Sequence, residues 1–291
     1  MLVVQDFSLV EAPRQYHSHD IWTTYSLKVG PRNSEIAASI GGSRGVLQLT
    51  NSGQLIELYG PHPRSCSPEE AGKYPRNVFA HDFLHESPSV TVAGGGTGNL
   101  WTLDTRVKDI VNVFSHGAGV TNLSVIGNHQ VLVAGLKSRM CIYDLRYTRD
   151  SAAPASTTLQ NNVSSPRGNS VAATPHTVFP GYINNARLGM GFAVCTELGV
   201  ACTATDGGKV VLHSLGSGRQ LKVPILDGVD GGGAPIVSMR FAELPDGTRH
   251  PSLYMGVGSS IYKFSSLGEE DVEMLTEREI ELEGRRRIEV E

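Results

Sequence analysis

Two stretches decide the fold: SVTVAGGGTGNLWTLDTR (residues 89–106) and HQVLVAGLKSRMCIYDLR (residues 129–146). Aligned at their ends, they place Asp104 on Asp144, 40 residues apart. Each holds an apolar run, an Ala-Gly step, a polar turn, a second apolar run and a closing Asp-x-Arg. Apolar and polar residues alternate with a period of two, the spacing of a strand whose faces differ, and no long 3.6-residue period competes with it.

The unit recurs at lower fidelity. GVACTATDGGKVVLHSLGSG (199–218) has the same two runs, with Asp206-Gly207 read as the hairpin turn because Asp-Gly supplies positive φ. SLYMGVGSSIYKFS (252–265) repeats it, and SEIAASIGGSRGVLQLTNSGQ (34–54) is an earlier copy. A further candidate strand precedes each unit, at 21–27, 77–83, 119–125, 187–193 and 236–241. A sheet of three or four short strands cannot bury both its faces alone. Sheets of this length stacked radially make a β-propeller, whose blades run roughly 40–45 residues in this class. The expected fold is therefore all-β, a propeller with five clear blades and room for up to seven. A sandwich is the alternative, but its strands need not share a terminal motif.

Composition agrees. The chain has 291 residues, 40% hydrophobic and 19% charged, with 33 glycines and no collagen period. A net charge of −4 lacks the basic excess of a general nucleic-acid binder, so no direct nucleic-acid contact is expected. No run approaches the roughly 18 apolar residues of a membrane helix, so no membrane partner is expected, and MLVVQDFSLVEAP does not read as a secretory signal. Cys66, Cys141, Cys195 and Cys202 form no C-x-x-C pair and read as reduced thiols, the last three inside apolar runs, which suits an intracellular protein.

The domain reading follows. Residues 1–20 are an N-terminal extension and 21–265 the propeller. Residues 147–178, rich in Ser, Ala, Thr, Asn and Pro, form a long exposed insertion, and 60–75 a shorter Pro-rich loop. Residues 266–291 hold ten acidic and four basic residues, a charge of −6 against +2 for the rest, and read as a solvated tail, partly helical or disordered.

The candidate site is the repeated Asp-x-Arg: Asp104 with Arg106, and Asp144 with Arg146. Residues two apart on a strand share a face, so each Asp and Arg are expected side by side. One copy alone reads as a turn cap beside a solvated charge. Two copies in consecutive units put two arginines on one rim, and arginine is a preferred hot-spot residue of protein interfaces.

The units resemble WD40 repeats, with Leu103-Asp104, Tyr143-Asp144 and His213-Ser214 in place of Trp-Asp, over residues 21–265. Consecutive Asp-x-Arg endings are further similar to the substrate receptors of cullin-4 RING ubiquitin ligases, the DDB1- and CUL4-associated factors. Within them, residues 238–241 and 253–265 resemble the last blade of the factor 4 type. The resemblance implies a non-catalytic scaffold in ubiquitin conjugation, in the nucleus or cytoplasm. Asp104, Arg106, Asp144 and Arg146 would dock the ligase adaptor, and another surface would hold a substrate protein. A propeller scaffold in RNA processing or chromatin assembly is the alternative; an enzyme carried on a propeller is a third. The Gly-His start of the family's repeats is not clear in most units; Ser115-His116-Gly117 is the nearest approach.

Signals for chemistry are thin. Residues 93–98 (AGGGTG) lack a following Lys-Ser/Thr and a helix, so they read as a turn between strands. His17-Ser18-His19-Asp20 and His81-Asp82-Phe83-Leu84-His85 contain metal-ligand residue types without an identifiable third or fourth ligand, and blade histidines are expected to bond Ser, Thr or Asp instead. No Gly-x-Ser-x-Gly elbow occurs, and Trp101, Tyr143 and Phe264 read as packing residues. No catalytic residue, cofactor site or metal site is assigned.

Overall fold

Short runs of β-branched and aromatic residues, closed by turn residues, fold into five small sheets in chain order. The computed structural model describes residues 24–31, 34–43, 45–58, 77–107, 109–148, 171–227, 229, 235–243, 251–258, 260–265 and 287–289. The first sheet is β1 (Thr24–Val29), β2 (Ile36–Gly42), β3 (Gly45–Thr50) and β4 (Leu55–Leu58). The second is β5 (Val78–Leu84), β6 (Ser87–Gly95), β7 (Asn99–Asp104) and β8 (Asp109–Ser115). The third takes β9 (Val120–Val125), β10 (Gln130–Gly135) and β11 (Arg139–Asp144); its outer strand, β13 (Thr177–Val178), comes after β12 (Val171–Ala172), which pairs in parallel with β8 of the second sheet. The fourth is β14 (Phe192–Cys195), β15 (Val200–Ala204), β16 (Val210–Ser214) and β17 (Gln220–Leu221). One helical turn, α1 (Pro224–Asp227), leads to the fifth: β18 (Ser238–Ala242), β19 (Ser252–Val257), β20 (Ser260–Phe264) and β21 (Arg287–Glu289).

These are the five blades of a β-propeller. The first strands of the blades run inside: β1 lies against β5, β5 against β9, and β14 against β18. Apolar side chains are buried between blades. Val46 and Leu58 of the first blade meet Trp101 and Leu103 of the second; Val92, Leu100 and Phe114 meet Val131, Val133 and Tyr143 of the third. Leu132, Met140 and Ile142 meet Phe179, Tyr182 and Ala201 at the fourth, and Cys202, Ala204 and Val210 meet Leu253 and Met255 of the fifth. At roughly 25 cal/mol per Å² of apolar surface, this stacking is the main stabilising term.

Several details depart from the sequence reading. The insertion ends sooner than expected, because residues 171–172 and 177–178 are strands; residues 149–170 lie outside the described residues. Of the acidic tail, Arg287–Glu289 is described, and its backbone pairs antiparallel with β20 as the outermost strand of the fifth blade. The fourth blade's hairpin places positive φ at Gly208 (76°), not at Asp206-Gly207: Gly208 N–H bonds Thr205 O and the ladder resumes at Lys209. The third blade turns at Lys137 and Ser138, both at positive φ without glycine, with their N–H groups bonded to Asn185 O and Asn184 O. Cys141, Cys195 and Cys202 are buried free thiols; Cys66 lies outside the described residues. Among the described residues, no helix is long and apolar enough to cross a membrane.

Candidate docking site on the blade rim

Asp104 ends β7 and Asp144 ends β11, each the third strand of its blade. The registers coincide: Asp104 pairs with Val90 and Asp144 with Gln130, and the next residues, Thr105 and Leu145, donate N–H to Ser89 O (3.0 Å) and His129 O (2.8 Å). The same position is held by Thr50 in the first blade and Ser214 in the fourth. Thr50 bonds Ser52 Oγ there, whereas Gly216 follows Ser214, so the Asp-x-Arg pair is confined to two adjacent blades among these four.

Each pair closes into a fork. Asp104 Oδ1 accepts the backbone N–H of Arg106 at 2.9 Å and Nε–H at 3.0 Å, while Oδ2 accepts Nη2–H at 2.7 Å. Asp144 does the same with Arg146, at 3.0, 3.0 and 2.6 Å. The strand ends at the aspartate, so the side chains meet through an Asx turn and not as neighbours on a strand face. The turn-cap reading and the paired-charge reading therefore both hold for the same carboxylate. Hydrogen bonds from Arg106 and Arg146 hold Asp104 and Asp144 below the usual carboxylate range, against the opposing effect of burial. The aspartates are about 10% exposed (10% and 11%), the arginines 65% and 57%. Each carboxylate is anchored in the blade and aims an exposed guanidinium.

The rim carries more than the sequence reading named. Val107 and Tyr147 follow the two arginines at matched positions and are 62% and 68% exposed, and the Arg146 guanidinium lies 5.4 Å from the centre of the Tyr147 ring. Each fork thus presents a cation beside an apolar side chain. The signal was the residue directly after each Asp-x-Arg. Asn112 of β8 donates to Thr148 Oγ1, which in turn donates to Leu145 O at 3.0 Å, so the second fork's turn is bonded to the first fork's blade.

The other candidate clusters come apart. His81 is buried, with Nδ1 2.8 Å from Ser26 Oγ, while His85 lies exposed in the turn after β5. Asp82 accepts N–H of Val125 at 3.0 Å and pairs with Lys28 at 3.5 Å, tying the inner strands of three blades. His116 Nδ1 lies 2.9 Å from the Tyr143 hydroxyl and His213 Nε2 3.2 Å from Thr203 Oγ1. Burial lowers all three ring pKa values to about 4, reinforced by Lys28 at His81 and Arg139 at His116. These rings are neutral members of the blade interiors. His17 and His19 lie outside the described residues, and among the described residues no group of three or more His, Cys, Asp or Glu is placed to hold a metal. Residues 96–98 turn between β6 and β7; Gly98 has φ 81°, and a Cβ there would sit 2.8 Å from Ala118 O.

No protein-family model matches the chain, and a search among curated proteins finds no match.

Proposed function

We propose that the protein is a non-catalytic interaction scaffold that docks a partner through the Arg106 and Arg146 forks. The carrying observation is the repetition of one anchored, exposed Asp-x-Arg fork at the same register of two adjacent, hydrogen-bonded blades. Fixing an arginine on binding ordinarily costs rotamer entropy; here the carboxylate has already fixed it. Each fork uses Nε and Nη2 on its own aspartate, so the Nη1 amino group serves a partner's carbonyl or carboxylate oxygen.

The partner we assign is the adaptor of a cullin-4 RING ubiquitin ligase, with another surface of the propeller holding the protein to be ubiquitinated. Support comes from the resemblance of the doubled Asp-x-Arg ending to that family's substrate receptors. Affinity capture from cells of wild type beside Arg106→Ala/Arg146→Ala tests both parts. Wild type is expected to bring down the adaptor and the double variant to lose it. A wild-type capture without the adaptor overturns the partner; full retention by the double variant overturns the residues.

A further inference from the structure

A groove of about 330 Å³ lies where the third blade meets the second, and among the described residues no carboxylate lines it. That volume is at the lower end of the roughly 300–1,000 Å³ of ligand pockets. The lining is basic and apolar: Lys137 and Arg139 supply the cations, and Pro175, Val178, Phe179 and Pro180 the apolar surface. Cys141 pairs with Val178 across β11 and β13, and Arg139 precedes Cys141 by two residues. Arg139, Cys141 and Val178 therefore share the face of the third blade that packs on the second. Val178 is nevertheless 53% exposed. The chain between β12 and β13 crosses from the second blade to the third and brings Pro175 to the groove.

Both cations are held in place, and neither meets a carboxylate. Lys137 and Ser138 make the β10–β11 turn at φ 57° and 53°, a left-handed conformation that residues with a side chain adopt under strain. The segment leading into the fourth blade compensates: Asn185 O and Asn184 O accept the N–H groups of Lys137 and Ser138, and Ser138 Oγ accepts the Asn184 N–H at 3.1 Å. Arg139 lies over Gly117, where an added Cβ would sit 3.5 Å from Nη1. Both side chains are exposed, and among the described residues neither forms an ion pair. Asp206, the carboxylate of the same turn network, already accepts two N–H groups of Asn185.

We propose that this groove docks an acidic peptide segment of a protein partner, with carboxylates on Lys137 and Arg139 and an apolar side chain against Val178 and its proline neighbours. Charge complementarity selects the acidic character. The apolar lining selects a peptide over a nucleic acid, whose phosphates would meet only two cations on a chain of net charge −4. The groove and the Arg146 fork sit at opposite ends of β11, about 17 Å apart along the strand at roughly 3.4 Å per residue. A partner held at the forks thus leaves the groove open. Its service as the second surface of the scaffold rests on the function proposed above; the peptide binding itself does not.

Panning a phage-displayed library of random dodecapeptides on the full chain tests this. Enriched peptides should combine Asp or Glu with Leu, Phe or Trp. In fluorescence anisotropy with a labelled copy of the leading peptide, Lys137→Glu/Arg139→Glu should weaken binding about tenfold. Val178→Asp, which touches neither cation, should weaken it as well, with urea midpoints near wild type as the check on folding. Arg106→Ala/Arg146→Ala should bind the peptide as wild type does. No enriched peptide, enriched peptides without acidic residues, or binding indifferent to the charge reversal would each overturn the proposal. So would loss of binding in the fork variant, or tighter binding of a labelled poly-uridine RNA. Peptide binding that survives a failed adaptor capture supports the groove and overturns the fork reading alone.

Discussion

Asn112 donates its side-chain amide to the Thr148 hydroxyl, and this bond fastens the turn that carries Arg146 to the blade that carries Arg106. The spacing of the two guanidinium groups is thereby set by the blade interface and not by a free loop. A partner that engages both forks meets a preset pattern.

Asn112→Ala removes that fastening without touching either arginine. The loss of one side-chain hydrogen bond is expected to cost about 1 kcal/mol of stability, read from urea unfolding. Capture of the partner should weaken severalfold, while Asn128→Ala, in the neighbouring turn after β9, leaves capture unchanged.

The forks themselves separate a capping role from a charge role. Asp104→Asn keeps an oxygen for the Arg106 backbone N–H and is expected to fold with little loss. Asp104→Ala leaves that N–H and the turn without an acceptor and should cost about 1–2 kcal/mol in the same urea assay. Both variants release the Arg106 guanidinium, so both should bind the partner more weakly than wild type.

Acid should destabilise the propeller through its buried histidines. His81, His116 and His213 titrate near 4 when folded, against 6.5 for an ordinary histidine. Between these values the unfolded chain binds more protons, so their contribution is intact above about pH 6.5 and declines as pH falls toward 4. Each ring contributes a slope of up to about 1.4 kcal/mol per pH unit. Urea midpoints at pH 7, 6 and 5 should fall in that order, and His213→Gln should flatten the trend. Midpoints that stay level from pH 7 to 5 contradict the neutral, buried assignment.

Two glycines with positive φ should respond differently to alanine. At Gly199 (φ 64°) an added Cβ meets open space, so Gly199→Ala carries backbone strain alone, about 1 kcal/mol. At Gly98 (φ 81°) the Cβ also meets Ala118 O at 2.8 Å, so Gly98→Ala should cost clearly more in thermal unfolding.

The sequence made legible what depends on period and repetition. The hairpins of residues 89–106 and 129–146 are visible because both strands are long enough to alternate, and Trp101 and Tyr143 are buried as their strand positions require. Outer strands such as Thr177–Val178 and Gln220–Leu221 have two residues each, too few to show a period, and β13 follows an insertion that hides its kinship with β8. The turn at Lys137 and Ser138 carries no glycine or asparagine, because bonds from residues 184 and 185 compensate its strain from outside the local sequence. The forks were legible as residue pairs. Their geometry was not, because it depends on where β7 and β11 end, and strand ends are set by the ladder and not by side-chain type.

The most direct measurement is a binding titration of purified protein with the purified ligase adaptor, for wild type, Arg106→Ala, Arg146→Ala and the double variant. The account predicts saturable wild-type binding, a loss of about 30-fold for each single variant, as for a 2 kcal/mol hot spot, and no measurable binding for the double variant. Absence of wild-type binding, or a double variant that binds as wild type does, contradicts it.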